Sequence, residues 1–380
     1  MKKIYLSPPH LSGHEIKYVS KAIDSNWIAP VGPFLKKFEN KISNFLKVKH
    51  SLCVSSGTAA IHLAMRALKI KKGDIILCQN FTFIGSVTPI LYCNAIPVFI
   101  GSEKESWNIC PIILRDTIIK YIKKGKIPKA ILVVHLYGMP AKIKEIMKIS
   151  KEFNIPVIED AAEALGSSIN GKKCGSFGDL GILSFNGNKI MTTSGGGALV
   201  SNNKKYINYA RYLSTQARDN YIHYQHSDIG YNYRMSNLLA SFGYAQMLTI
   251  NDRVKTRRTN YNDYKLLLKK FNSIKFFEEN QSYKTKIFSN RWLTTIVLGD
   301  EIKVSINKIV KLMMKKNIEV RPFWKPMNLQ PVLKKYKYYG NAFEIKLFKK
   351  GLCLPSGSNL SIKERKLIIK QLLNILINEK

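Results

Sequence analysis

Between residues 75 and 185 the chain carries five strand-length runs that are apolar almost without interruption. No other feature constrains the fold as strongly. The runs are Ile75-Ile76-Leu77-Cys78, Ile96-Pro97-Val98-Phe99-Ile100, Ala130-Ile131-Leu132-Val133-Val134, Ile155-Pro156-Val157-Ile158 and Gly181-Ile182-Leu183-Ser184-Phe185. A strand with one wet face alternates apolar and polar residues, so a continuous run belongs to a strand covered on both faces. Between two of these runs, Ala141 to Ile149 has helical spacing. Ile143, Ile146, Met147 and Ile149 fall on one side, and Lys142, Lys144, Glu145 and Lys148 on the other. Repetition of this strand–helix–strand texture from Ser51 to Asn202 predicts an α/β fold, with a mostly parallel central sheet flanked by helices.

After about Ile250 the texture changes. Asp252 to Lys269 reads as a charged helix with apolar Tyr261, Tyr264, Leu266 and Leu267. Strands are predicted over Trp292 to Leu298 and Ile318 to Arg321. A final helix is announced by Ser361 and Glu364, the spacing of a capping box. Its predicted apolar face comprises Ile362, Ile368, Ile369, Leu372, Leu373, Leu376 and Ile377. A chain of 380 residues exceeds what one core usually serves. We therefore expect a large domain over residues 1–250 and a smaller α+β domain over 251–380.

Composition excludes several classes. Hydrophobic residues make up 45% and charged residues 23%, which is a globular balance and not that of a disordered chain. No stretch approaches the roughly 20 apolar residues that span a bilayer. The opening Met1-Lys2-Lys3 meets Ser7-Pro8-Pro9 too soon for a signal peptide, so a cytoplasmic protein is expected. The net charge of +36 raises nucleic-acid binding as a possibility. However, only 11 of the 61 basic residues are Arg, and the lysines are dispersed. A nucleic-acid site clusters its cations and favours the arginine fork, so no nucleic-acid partner is expected. Cys53, Cys78, Cys93, Cys110, Cys174 and Cys353 lie far apart without a Cys-x-x-Cys pair, which indicates no metal site. Cys53, Cys78 and Cys93 read as small core residues of a reducing compartment.

Three constellations carry chemistry. The first is Ser55-Ser56-Gly57-Thr58-Ala59-Ala60, small residues between a strand-like Leu52-Cys53-Val54 and a helical pattern. Thr58 is the expected N-cap, and the free N–H groups of such a helix end suit a phosphate. The second is Glu159-Asp160-Ala161-Ala162-Glu163, in which an apolar strand ends in carboxylates. At the carboxyl end of a parallel strand, Asp160 points into the ligand crevice and needs a cationic partner. The third is Ser184-Phe185-Asn186-Gly187-Asn188-Lys189, followed by Ser194-Gly195-Gly196-Gly197. A lysine among such small residues, partly withdrawn from water, is suited to Schiff-base chemistry. Anion cradle, strand-end carboxylate and lysine match the phosphate, ring nitrogen and aldehyde of pyridoxal phosphate.

The whole chain resembles the DegT/DnrJ-type sugar aminotransferases of fold-type I. The resemblance rests on Asn26 to Gly32, Ser56-Gly57-Thr58-Ala59-Ala60, Phe81-Thr82-Phe83, His135-Leu136-Tyr137-Gly138, Glu159 to Glu163, Ser184 to Lys189 and Gly230 to Asn237, in family order. It implies that Lys189 carries the cofactor and shuttles the proton, and that Asp160 keeps the pyridine nitrogen protonated. It further implies that Phe83 stacks on the ring, that Gly57, Thr58 and Ser184 cradle the phosphate, and that Glu163 lies near the ring hydroxyl. Asn232 would reach the phosphate of a partner subunit in a homodimer with shared active sites. Dehydratases of the same fold carry His where this chain has Lys189. Ser194-Gly195-Gly196-Gly197 departs from the family's usual Gly-Glu-Gly-Gly. With Ser289-Asn290-Arg291-Trp292 and Arg321-Pro322-Phe323-Trp324, it resembles the transaminases of UDP-N-acetylbacillosamine biosynthesis. That resemblance implies transfer of the amino group of L-glutamate to C4 of a UDP-linked 4-keto-6-deoxy-N-acetylhexosamine, by way of pyridoxamine phosphate. By the same resemblance Arg218, Arg234 and Arg321 are candidates for contacts to glutamate carboxylate or UDP diphosphate, the alternative being surface or interdomain ion pairs.

Overall fold

The computed structural model describes residues 2–281 and 285–378. Eight strands form the main sheet: β1 (His50–Val54), β2 (Ile75–Gln79), β3 (Ile96–Ile100), β4 (Ala130–Val134), β5 (Val157–Asp160), β6 (Leu180–Ser184), β7 (Gly197–Ser201) and β8 (Tyr338–Tyr339). Their spatial order is β1-β7-β6-β5-β4-β2-β3-β8. Strand β7 runs antiparallel to both neighbours, and every other adjacent pair is parallel.

Continuous apolar runs become buried strands because helices cover both faces. Along β2, Ile76 and Cys78 join the core that contains the helix Gly57–Ala67, while Ile75 and Leu77 join the core beneath the helices Pro111–Ile122 and Ile143–Phe153. The period-two alternation is thus between two helix layers and not between core and water. Cys53 and Cys78 are fully buried as expected, whereas Cys93 is only partly so.

The predicted strand at Ile155–Ile158 begins two residues later, at Val157, and extends to Asp160. The expected strand over Ile318 to Arg321 reduces to Arg321–Pro322, and Ile318 instead makes a parallel bridge with Ile4.

The C-terminal part builds a second, antiparallel sheet in the order Ile274–Phe276, Thr294–Leu298, Gly351–Leu354, Arg321–Pro322. The helices Ile306–Lys315 and Ile362–Asn378 pack on it through Ile309, Met313, Ile368 and Leu372. The capping box forms as read: Ser361 N–H donates to Glu364 Oε2 at 2.8 Å, and Glu364 N–H to Ser361 Oγ at 3.2 Å. Ile362 and Ile377, placed on the apolar face by spacing, are exposed at the helix ends. Two segments cross the expected boundary at 250/251. Tyr338–Tyr339 adds a strand to the large sheet, and Ile4 joins the core of the small one. Among the described residues no helix is long and apolar enough to cross a membrane.

Candidate active site

In an open α/β sheet the ligand crevice lies outside the carboxyl ends of the strands. Here Ser56, Gly57 and Thr58 follow β1, Asp160 ends β5 and Ser184 ends β6. Because β7 is antiparallel, its beginning lies at this same edge and brings Gly195 and Gly196 beside them. The result is a cavity of about 280 Å³ whose lining includes Gly57, Thr58, Phe83, Asp160, Ser184 and Lys189. Glu163 lines it as well. Three sequence-distant motifs thus meet in one place.

The helix Gly57–Ala67 starts two residues earlier than expected. Ser56, not Thr58, is the N-cap, its Oγ accepting from Ala59 N–H at 3.0 Å. Thr58 is the second helical residue and faces the cavity. The shift follows from backbone shape: Ser56 is extended, as an N-cap must be. Glycine is required at the crossing behind this turn. A Cβ on Gly197 would lie 2.5 Å from Gly57 N and 2.5 Å from Ser56 C. A Cβ on Gly57 would meet Ser184 Cβ at 3.1 Å.

Asp160 is buried and held from two sides. Ser86 Oγ donates to Oδ2 at 2.7 Å and Ala162 N–H to Oδ1 at 3.0 Å. Thr82 Oγ1 stands 2.9 Å from Ser86 Oγ, extending the chain of hydroxyls. Lys189 Nζ lies 3.5 Å from Glu163 Oε1 and 4.1 Å from the centre of the Trp292 ring. Glu163 also accepts from Tyr137 N–H at 2.7 Å. Burial raises the Glu163 carboxyl above its ordinary range, with the neighbouring Asp160 adding to the rise, and the Lys189 ammonium only partly opposes this. Phe83 is half exposed at the mouth, its ring 5.1 Å from that of Trp324.

The remaining predicted residues lie elsewhere. Asn232 is exposed, bridges the backbone at Thr215 and does not line its own chain's cavity. Arg218 lies over the Tyr224 ring at 4.1 Å. Arg234 is largely buried, with Nη1 3.4 Å from Glu39 Oε1; Glu39 also binds Arg211 at 2.9 Å. Arg321 pairs with Glu319 at 2.8 Å and lines a second cavity of about 780 Å³. That cavity shares Asn188 and Trp324 with the first. Sequence reasoning missed Ser86, which stands three residues beyond the end of the Phe81-Thr82-Phe83 motif. It also missed the part of Trp292, which was noted only as a subgroup signature.

The donor set fits pyridoxal phosphate. The N–H end of a capped helix suits its phosphate, a buried carboxylate with room for another donor suits its ring nitrogen, and a lysine suits its aldehyde. Such a cavity, at the carboxyl edge of this sheet, defines a fold-type I pyridoxal phosphate-dependent transferase. The model of the DegT/DnrJ/EryC1/StrS aminotransferase family matches residues 9–373, and the chain belongs to that family. It is 48% identical over 379 residues to EpsN of Bacillus subtilis, named as a pyridoxal phosphate-dependent aminotransferase, covering 98% of this chain and 96% of EpsN. It is 37% identical to a GDP-perosamine synthase of Vibrio cholerae over 85% of each chain. Identity is 30% to a UDP-4-amino-4,6-dideoxy-N-acetyl-beta-L-altrosamine transaminase of Campylobacter jejuni, covering 98% and 97%. Among solved structures, Helicobacter pylori PseC, an aminotransferase involved in pseudoaminic acid biosynthesis, superposes with a TM-score of 0.90 at 21% identity, covering 99% and 100%. The protein is a sugar aminotransferase that uses pyridoxal phosphate.

Proposed function

We propose that this aminotransferase moves the amino group of L-glutamate to C4 of a UDP-linked 4-keto-6-deoxy-N-acetylhexosamine. The observation that carries the reading is the junction of the two cavities. Asn188 and Trp324 line both the lysine cavity and a neighbouring space lined by Tyr5, Phe323, Arg321 and Lys325. Aromatic rings suit a nucleobase and the cations suit a diphosphate. The indole N–H of Trp324, at the junction, is buried without a partner and is available to a polar ligand. The local likeness around Ser289 to Trp292 and Arg321 to Trp324 supports UDP. The greater identity to GDP-perosamine synthases favours a second reading, a GDP-linked keto sugar.

When bound, the cofactor would supply a carbonyl for the amino group and an electron-withdrawing ring. Lys189 holds it at the aldehyde and afterwards carries the proton to and from the reacting carbon. Asp160, held in place by the Ser86 hydroxyl and Ala162 N–H, fixes the proton on the ring nitrogen. Gly57, Thr58 and Ser184 bind the phosphate, Phe83 covers one face of the ring, and Glu163 lies beside Lys189. We further propose a homodimer in which Asn232 completes the partner's phosphate site. The exposed Tyr221, Ile222, Tyr224 and Ile229 around it are an apolar surface that suits burial. Six free cysteines fit a reducing compartment, so we place the enzyme in the cytoplasm.

The test is a panel of UDP-, GDP- and dTDP-4-keto sugars incubated with glutamate, with products identified by mass. An aminated product from the UDP-N-acetyl sugar above all others supports the proposal; preference for the GDP sugar overturns it in favour of the second reading.

A further inference from the structure

Beneath the cavity, on the opposite side of β5 from Asp160, lies a sealed polar cluster that the reaction does not touch. His135, Glu159 and Cys174 are fully buried, with their ligand atoms all within 4.8 Å of one another. Such a trio has the composition of a metal site, but the lone pairs of Glu159 and of His135 are committed to protein donors. Glu159 Oε1 accepts from His135 Nε2 at 2.7 Å and Gly175 N–H at 2.5 Å. Its Oε2 accepts from Phe177 N–H at 2.8 Å and Gly178 N–H at 2.9 Å. A carboxylate offers about four acceptor positions, and all are filled. His135 Nδ1 accepts from Ala141 N–H at 2.9 Å, which requires a bare lone pair there. The ring is therefore the tautomer with its proton on Nε2. Burial opposes a second proton, and Cys174 and Glu159 outweigh it and raise the imidazole's pKa to about 10, but the Ala141 amide occupies the lone pair on which that proton would have to sit. Burial alone would raise the Glu159 carboxyl; the donors from His135, Gly178 and Gly175 hold it below its usual range instead.

His135 touches β5 twice. Its side chain holds Glu159, and its backbone N–H donates to the Asp160 carbonyl at 3.1 Å. Successive residues of a strand face opposite ways, so fixing Glu159 on one side fixes the roll of Asp160 on the other. The same turn supplies Tyr137 N–H, which holds Glu163.

We propose that His135 and Glu159 are positioning residues for the reaction: their hydrogen bond sets the angle at which Asp160 meets the cofactor's ring nitrogen. The proposal rests on the assignment of that role to Asp160, so Asp160→Asn is included as a reference. His135→Leu removes the Nε2 donor, and His135→Gln replaces it with an amide donor at a similar reach. Each purified enzyme, loaded with pyridoxal phosphate, is compared by the visible spectrum of the bound cofactor between pH 6 and 9, by cofactor affinity and by kcat. Thermal unfolding is recorded in parallel. The expected result is that His135→Leu moves the spectrum in the direction of Asp160→Asn and lowers kcat on the order of 10²-fold, as for misplacement of a reacting group by about 1 Å. His135→Gln should recover most of both.

If Asp160→Asn itself leaves the spectrum unchanged, the role of Asp160 is wrong. If Asp160→Asn moves it and His135→Leu, still folded, does not, the positioning role is overturned. Should His135→Leu fail to fold, His135→Gln and Glu159→Gln decide by the same spectrum. A loss of stability with a wild-type spectrum in both counts against the proposal.

Discussion

Gly197→Ala places one methyl group where the glycine turn crosses behind the phosphate cradle. The added carbon would meet Gly57 N and Ser56 C, each at 2.5 Å, and Ser56 O at 2.6 Å. All three are backbone atoms, so no side chain can swing aside. Opening 2.5 Å to an ordinary contact of 3.4 Å displaces the start of the helix Gly57–Ala67, or β7 itself, by about 0.9 Å. The pairing of Val54 with Gly197 opposes that movement. Overpacking of this kind costs about 1–3 kcal/mol. A shift of nearly 1 Å in groups that orient the cofactor is on the order of 10²-fold in rate. Gly187→Ala is the control. It lies two residues before Lys189, yet its Cβ would meet only Pro9 Cγ, at 3.9 Å. Titration of both variants with pyridoxal phosphate, followed by absorbance, should show cofactor affinity weakened at least about tenfold for Gly197→Ala and unchanged for Gly187→Ala. Wild-type affinity and turnover in Gly197→Ala would show that the cradle is not rigid there, and the argument from close approach would fail.

Lys189→Ala should lose the half-reaction with glutamate and the reducible covalent link to cofactor; persistence of that link, by mass after borohydride treatment, would place it on another lysine. Asp160→Asn should retain cofactor but turn over on the order of 10²-fold more slowly, a loss of about 2.7 kcal/mol of transition-state stabilisation. Mixing inactive Lys189→Ala subunits with inactive Asn232→Glu subunits should restore activity toward half of wild type per mixed dimer, since both lesions then fall in one composite site; no recovery under subunit exchange would assign Asn232 to its own chain.

Much of the fold was legible because its signals are local. The runs Ile96 to Ile100 and Ala130 to Val134 match β3 and β4 residue for residue, because burial on both faces leaves a continuous apolar signature. Ser361 and Glu364 form their box for the same reason: both partners lie within one turn. Tyr338–Tyr339 was not legible as a strand. Two residues carry no period, and they pair with β3 only because the preceding chain returns across the large sheet. The cap was misplaced onto Thr58 because Ser55, Ser56 and Thr58 all have capping side chains, and only the extended backbone of Ser56 decides among them. In the site, Lys189, Asp160 and Gly57 stood out through their own flanking residues. Ser86 did not, since its use depends on Asp160, 74 residues away.

The contacts that hold Lys189 are long-range in the same way, and they come from outside the large sheet. Asn188, next to the lysine, uses its carbonyl to accept from Ser7 Oγ at 2.7 Å and from the Trp292 indole N–H at 2.8 Å. Arg257, fully buried on the helix Ile250–Leu267, donates to Ser7 Oγ at 2.9 Å and to the Trp292 carbonyl. Burial, then the charge of Arg253, lowers the Arg257 pKa to about 9, so the guanidinium remains charged at neutral pH. A buried cation is stabilised there by carbonyl and hydroxyl oxygens alone, and their geometry is correspondingly fixed. The N-terminal strand-like segment, the long helix and the second sheet thus converge on one peptide bond beside Lys189. The indole that donates to the Asn188 carbonyl from its edge presents its face to the Lys189 ammonium. A displacement of the C-terminal part against the large sheet therefore reaches the amine directly, through two hydrogen bonds and one ring.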